Sequence, residues 1–541
     1  MQHISHFSKS TLFLLVIVLA ACKKDNSTLK IDLLIPKPMA VTKEKGAFGL
    51  LHSTSIYASQ GNKEVAFIAN YLADKLRPAT GYPLVVSTNA IPEDNFISLD
   101  LVSDASLGEE GYQLTVEEAS VKLLANKPAG LFYGIQTLRQ LLPAQIEAAT
   151  NQKDIEWKIP AVSIKDVPAY SWRGSMLDVA RHFFSVEDVK KYIDYLALYK
   201  INVLHLSLSN DQGWRIEIKS WPNLAIHGGS TQVGGGKGGY YTQEQYKDIV
   251  AYAQKQYITI VPEIDLPGHI NAALASYGEL NGGITLVPEK GRINLSTNTG
   301  EVGGKNKPTE LYTGIEVGFS TLQYNQEATF RFVNDVIREL SSITPGEYIH
   351  VGGDEARVTK KEEYIKFINK FYEIVTANGK KMIGWEEISQ ADIKGDIIAQ
   401  HWDSPSYPKM AVEKGGKVLM SPAPKVYLDM QYDSTTKLGL HWAAYIEVKD
   451  SYDWEPTTLV EGIAKENIIG VETPLWTETI STMKEIEYML FPRFPGIAEI
   501  AWSKPEGRNW DEYRVRLAAH GKRFDVMGIN YYKSKHVPWE K

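Results

Sequence analysis

The chain has 541 residues, 43% of them hydrophobic and 23% charged, an ordinary globular balance at a length that calls for two domains, one of them large. A formal net charge of −7 leaves no basic field to hold a phosphate backbone, which excludes nucleic acid as a partner. Aromatic residues reach 11%, with 12 Trp and 29 Tyr, and their position decides between core packing and flat surfaces for pyranose rings.

At the N-terminus, Lys9 precedes an apolar run from Thr11 to Ala21, too short to span a bilayer as a mature helix. The run ends Leu19-Ala20-Ala21-Cys22, and Cys22 is the only cysteine, so no disulfide forms within the chain. This ending resembles a bacterial lipobox. It implies a signal peptide over residues 1–21, lipid on Cys22 and a polar tether over 22–30. The expected location is the bacterial cell envelope, membrane-attached through a lipid anchor, at its periplasmic or outer face.

Residues 31–165 read as a smaller α/β domain. Strand-like runs occur at Ser55–Ala58, Leu84–Val86 and Phe96–Leu99, and Tyr112–Val116 with Val121–Leu124 alternates at period two across a short polar link, as a hairpin does. Gly130–Leu142 reads as a helix with Leu131, Ile135, Leu138 and Leu142 on one face. No catalytic cluster stands out here, and the domain is expected to support the next one.

Over 166–541 short apolar strands alternate with helices of about three to five turns. The strand candidates are Ser175–Val179, Val203–Leu208, Thr259–Glu263, Tyr348–Val351, Met382–Trp385, Ile397–Gln400, Val418–Ser421 and Ile468–Glu472. Eight such units predict a (β/α)8 TIM barrel behind a smaller α/β domain. Ser185-x-x-Asp188, Thr242-x-x-Gln245 and Thr359-x-x-Glu362 read as helix caps. The glycine-rich stretch 228–239 lacks the Ser or Thr after its Lys that a phosphate loop requires, and reads either as a substrate-side loop or as an ordinary one.

In such a barrel the chemistry sits where strands end. There the sequence places Asp178, Arg181, His182, Asn210, Asp211, Glu263, Asp265, His269, Asp354, Glu355, Trp385, Glu386, Trp402, Tyr427, Asp429, Trp476 and Glu478. Asp354 and Glu355 follow two glycines at the end of Tyr348–Val351. Vicinal carboxylates repel, so one is expected to keep its proton near neutral pH, and an acid beside a carboxylate suits glycoside hydrolysis. A metal held by Glu263, Asp265 and His269 is the competing reading, opposed by the alternation of side chains along a strand. No metal and no cofactor is expected. His350 is expected inside the barrel as a hydrogen-bonded strand residue.

The runs Trp172-Arg173-Gly174 through Arg181-His182-Phe183, Asp211-Gln212-Gly213-Trp214-Arg215, Pro262-Glu263-Ile264-Asp265, Pro267-Gly268-His269, His350 through Glu355 and Leu475-Trp476-Thr477-Glu478 closely resemble glycoside hydrolase family 20, the β-N-acetylhexosaminidases. The resemblance implies exo-acting release of a terminal β-linked N-acetylhexosamine, with retention, through an oxazolinium ion made by the substrate's own acetamide. It implies Glu355 as general acid/base and Asp354 as the group orienting the acetamide. Tyr427 would hydrogen-bond the acetamido oxygen, with Asp429 nearby supporting the substrate or Tyr427. Trp385, Trp402 and Trp476 would box the acetamido methyl and the sugar ring, and Arg181 and Glu478 would grip its hydroxyls. Asp211 and His269 join them at the site. Trp442 either contacts the leaving group or simply packs. Many members carry an acid where this chain has Asn210, which cannot hold a charge against Arg181. Release of a disaccharide and glycan binding without catalysis are the alternatives.

Overall fold

The computed structural model describes residues 31–59, 61–89, 91–288 and 303–539. The leader, Cys22 and the tether lie outside the described residues. Among those described, no helix is long and apolar enough to cross a membrane.

The first domain is one seven-stranded sheet. Its strands are β1 (Ala40–Gly49), β2 (Ser55–Ala58), β3 (Val86–Ser87), β4 (Phe96–Leu101), β5 (Tyr112–Val116), β6 (Ser120–Ala125) and β7 (Lys158–Asp166), ordered β1-β7-β5-β6-β4-β2-β3. The hairpin β5–β6 forms as expected, with Leu114 facing Leu123. Strands β1 and β7 were not anticipated. Residues 40–46 of β1 are exposed throughout, so burial imposed no apolar alternation to read there. The helix Lys63–Thr80 was also missed. Asn62 caps it by accepting from the N–H groups of Glu64 and Val65, and Val65, Ile68, Ala69, Leu72, Ala73 and Leu76 are buried along it.

The helix Pro128–Leu141 is buried along nearly its whole length. Two buried cations tie the domains. Arg173 forks onto Glu110 at 2.7 and 2.9 Å, and Lys200 reaches Asp166 at 3.1 Å, both beside the face of Trp502.

The second domain is a closed barrel. Its strands are β8 (Trp172–Asp178), β9 (Val203–Ser207), β12 (Thr259–Glu263), β13 (Tyr348–His350), β14 (Lys381–Trp385), β15 (Ile397–His401), β16 (Lys417–Met420) and β17 (Ile468–Leu475). A two-stranded ribbon, β10 (Ser209–Asn210) and β11 (Gly213–Trp214), interrupts the connection after β9. All eight barrel pairings are parallel. The capping boxes at Ser185 and Thr242 form. The one expected at Thr359 does not. That helix, Lys361–Ala377, starts after Lys360 with no side-chain cap, and Thr359 instead shares a hydrogen bond with Thr321 at 2.6 Å. One connection lacks the expected helix. Between Trp385 and Ile397 the chain makes only a 3-10 turn, Glu386–Gln390, which leaves two acids at the barrel mouth. Residues 228–239 fold around the guanidinium of Arg215, which donates to the carbonyls of Gly229, Thr231 and Gly239.

A buried polar network crosses the barrel interior. His205 Nδ1 lies 2.8 Å from Glu472 and its Nε2 3.4 Å from Glu263, which also takes His350 Nδ1 at 2.8 Å and the indole N–H of Trp385 at 2.9 Å. Burial would drive His205 neutral, but the two carboxylates win and raise its pKa to about 9. His350 packs tilted against His205 with ring centroids 4.2 Å apart, in the strand-interior place expected of it.

Candidate active site

At the C-terminal mouth of the barrel lies a cavity of about 920 Å³. Arg181, His269, Asp354, Glu355, Trp402, Tyr427, Asp429, Trp442, Trp476 and Glu478 line it. Asp211 and Trp385 do not. Asp211 stands behind His269, and Trp385 packs behind Trp476 with ring centroids 5.6 Å apart. No part of 228–239 is among the residues that line it.

The strand β13 ends at His350, and the next turns are possible only because of Gly352 and Gly353. Both have positive φ, +65° and +97°, and a Cβ on Gly352 would sit 1.9 Å from Oδ1 of Asp265. That carboxylate accepts the N–H of Gly353 at 2.9 Å, which pins the turn carrying the two acids. Glu355 itself has φ +47° and His269 φ +50°, a conformation costly for side chains with a Cβ and found where a site is held in a set geometry.

His269 joins the acids. Its Nδ1 lies 3.5 Å from Asp211, and its Nε2 lies 3.6 Å from Asp354 and 3.5 Å from Glu355, within ion-pair reach but longer than a hydrogen bond. Asp211 is fixed by the N–H of Asn271 at 2.9 Å and by Ser320. Burial opposes charge on His269, yet Asp265, Asp211, Glu355 and Asp354 together hold its pKa well above the usual imidazole range.

The vicinal acids are driven apart. Burial raises Asp354 to about 6 against the opposing charge of His269. Burial also pushes Glu355 up, but His269, Arg357 and Arg181 overcome it and hold Glu355 below the usual range. Of the two acids, Asp354 is the one whose proton is held further towards neutrality.

Arg181 is 4% exposed, lies over the Trp476 ring at 4.6 Å, and sits 3.7 Å from Asp178 and 3.9 Å from Glu478. Tyr427 packs edge-on to Trp442 and tilted against Trp476. Trp442 is 52% exposed and meets Trp402 edge-on at 5.9 Å, so it stands at the rim. Asn210 uses its Oδ1 on the Asp211 N–H and leaves its Nδ2 buried without a partner.

Buried polar atoms without partners concentrate here. They include Nε and Nη1 of Arg181, both ring nitrogens of His269, Oδ1 of Asp354, both carboxylate oxygens of Asp429 and Oε2 of Glu478. Native interiors leave few such atoms, and this set is what a many-hydroxyl ligand satisfies on binding.

Two groups of three side chains among the described residues come close enough to share an ion: His205, Glu263 and His350, and Asp265, His269 and Asp354. The trio Glu263, Asp265 and His269, weighed from sequence as the competing metal reading, is split between them, because Glu263 points into the barrel and Asp265 lies beyond the strand.

Several lining residues, Glu387 first, were not anticipated, whereas Glu386 beside it was placed at its strand end from sequence. Glu387 accepts the Trp402 indole N–H at 3.2 Å, and burial, Asp354 and Glu386 push its carboxyl well up. Glu386 takes His401 at 2.6 Å and the N–H groups of Trp402 and Ser404. Arg357, Lys361, Tyr364 and Tyr407 also line the cavity. Glu386-Glu387 is a second vicinal pair after a strand, and the reasoning applied to Asp354-Glu355 would have found it.

Comparison with known proteins agrees with this geometry. The family described as glycosyl hydrolase family 20, catalytic domain, matches residues 170–365 and 357–505, and its domain 2 matches 33–167. A beta-N-acetylhexosaminidase of Cellulomonas fimi is 40% identical, over 93% of this chain and 97% of its own. The structure of a beta-N-acetylhexosaminidase from Streptomyces coelicolor superimposes with a TM-score of 0.87 at 43% identity, covering 94% of this chain and 99% of that one. An exo beta-N-acetylglucosaminidase from Vibrio harveyi, solved with N-acetylglucosamine, gives 0.76 at 29% identity, covering 94% and 79%.

Proposed function

The chain belongs to glycosyl hydrolase family 20, and from that premise we infer that it is an exo-acting hydrolase of terminal β-linked N-acetylhexosamine, working with retention through the substrate's own acetamide. The observation that carries this reading is the buried set of unpartnered polar atoms beside two vicinal acids and an aromatic wall.

The chemistry follows from those groups. The acetamido oxygen attacks the anomeric carbon and the glycosidic oxygen leaves with a proton from Glu355. Asp354 accepts the acetamido N–H and stabilises the positive charge that develops on the oxazolinium ion. Water then opens that ion with Glu355 as base, restoring the β configuration. The electrostatics of the protein alone favour the shared proton on Asp354. Binding of the acetamide requires it on Glu355, so substrate must move it, with His269 between the two carboxylates as the group best placed to relay. Asp211 fixes the far side of that imidazole. Arg181 and Glu478 supply hydrogen bonds to sugar hydroxyls, and Tyr427 and Trp476 wall the ring. The low exposure of Arg181 and Glu478 supports a closed end that admits one terminal sugar, which favours single-sugar over disaccharide release.

The test is an aryl β-N-acetylglucosaminide against the matching aryl β-glucoside. Turnover of the first alone is expected, and equal rates would refute acetamide participation. Glu355→Gln should slow turnover by roughly 10²–10⁴.

We also propose that the enzyme is a lipoprotein of the cell envelope, anchored through Cys22. The support is the Leu19-Ala20-Ala21-Cys22 sequence behind a short apolar run, with no other cysteine in the chain. Cys22→Ala should move the enzyme from the membrane fraction to the soluble one, and an unchanged partition would refute the anchor.

A further inference from the structure

Resting on the glycosidase reading above, we propose that Arg357 makes the aglycone side of the cavity selective for an anionic leaving group, a sugar bearing a carboxylate or sulfate. Arg357 lies two residues beyond Glu355, lines the cavity and is 24% exposed, so it belongs to the open side and not to the closed end around Arg181. One of its N–H groups donates from Nη2 to Oε1 of Glu355, and its other donors have no partner among the described residues. A guanidinium is a planar fork matched to carboxylate and sulfate oxygens, and most of this one is uncommitted.

The arm is held in place. Gly318 has φ +80°, and a Cβ there would lie 2.7 Å from Cδ of Arg357, so the loop passes directly against the aliphatic stem. Ile315 and Val317 of that loop line the cavity, and Ile315 is 41% exposed. Trp442 offers an exposed ring on the rim. Apolar contacts of this kind suit a second sugar, while the charge decides which one.

A second cation follows four residues on along the chain. Lys361 opens the helix Lys361–Ala377, lines the same cavity, is exposed, and has no acid partner among the described residues. The acids of the lining are largely committed elsewhere. Glu386 is held by His401 and two backbone N–H groups, Glu387 by Trp402, and Glu478 sits near Arg181, which leaves Asp403 after β15 and the unpartnered Asp429. Without an anion, Arg357 stays on Glu355, among His269, Arg181 and Asp354. An anionic aglycone competes for the guanidinium and frees Glu355 to carry the proton it must donate.

The test compares kcat/KM at low salt for β-N-acetylglucosaminyl disaccharides whose second sugar carries a carboxylate, the matching carboxamide, or a sulfate. The carboxylate should exceed the carboxamide by about ten-fold, the worth of one charge-assisted hydrogen bond. That ratio should fall to near one in Arg357→Gln and persist in Arg357→Lys. Preference for the sulfate as well widens the class from carboxylates to anions. Wild-type enzyme that shows no preference, or Arg357→Gln that retains it, overturns the proposal. A neutral aryl β-N-acetylglucosaminide runs alongside as the control, because failure to cleave it would sink the glycosidase reading and not this one.

Discussion

The indole N–H of Trp385 donates to Oε1 of Glu263 at 2.9 Å, which ties the wall behind Trp476 to the buried charge network of the barrel interior. Glu263 is completely buried, and although burial would raise its pKa, His350 and His205 hold it well below the usual range. It is therefore a buried carboxylate whose partners must all stay in place. Trp385→Phe keeps most of the ring and deletes one of them. It should cost about 1–3 kcal/mol in stability, the penalty for an under-satisfied buried polar group. Because Trp476 leans on this ring, KM for an aryl β-N-acetylglucosaminide should rise more than kcat falls. Denaturant melts and steady-state kinetics check both, and a variant as stable as wild type would show that the bond carries no weight.

The active enzyme carries one proton on the pair Asp354 and Glu355. The first proton leaves below the usual carboxylate range, from Glu355, and the last leaves near pH 6, from Asp354. These values belong to the pair, since only the proton count fixes whether Glu355 can become the donor. Activity should thus be greatest in mildly acidic solution and kcat/KM should fall as pH rises through about 6. A profile of kcat/KM between about pH 4 and 8 tests this, and a flat line would contradict it.

Asp354→Asn should separate stability from activity. The folded pKa of Asp354, about 6, lies above its ordinary 3.8, so the folded protein holds this proton more tightly than the unfolded chain does. Stability from this group is full below about pH 3.8 and is lost as pH rises through about 6. Asparagine never ionises and escapes that loss. The variant should be more stable than wild type at pH 7–8 by on the order of 1–3 kcal/mol, with the gain vanishing near pH 4. Its turnover should collapse, because the developing positive charge has lost its counter-ion. Thermal melts at the two pH values decide it.

Much of this was legible in the sequence, for identifiable reasons. The barrel strands are buried, so their apolar runs stand out, and all eight lie within a few residues of where the sequence puts them. Strand β1 was invisible because seven of its ten residues are exposed. Asp354, Glu355, Arg181 and Glu478 were findable because strand ends aim side chains at the barrel mouth. Arg357 was not singled out, because only the fold of the turn after Glu355 brings it to the cavity, whereas Glu387 follows its strand as closely as Asp354 and Glu355 follow theirs and was legible as the second half of a vicinal pair. Sequence order equally gave no way to know that Trp385 stands behind Trp476 while Trp402 reaches the surface of the cavity.

The turn before the acids offers the sharpest structural test. Gly352 combines φ +65° with a carboxylate oxygen where its Cβ would be, at 1.9 Å, and that oxygen is the acceptor holding Gly353. Asp265 cannot swing away without abandoning the N–H that fixes the turn. Gly352→Ala therefore has to shift backbone, displacing Asp354 and Glu355 together. The cost should be about 3 kcal/mol or more in stability, with loss of at least 10²-fold in kcat/KM, since a misplacement near 1 Å at the reacting groups has that effect. Gly379→Ala is the control. It also has positive φ, +74°, but a Cβ there meets nothing within 4 Å, so only the conformational strain should appear and activity should survive. Equal losses in the two variants would mean that φ alone matters and that the approach of Asp265 does not.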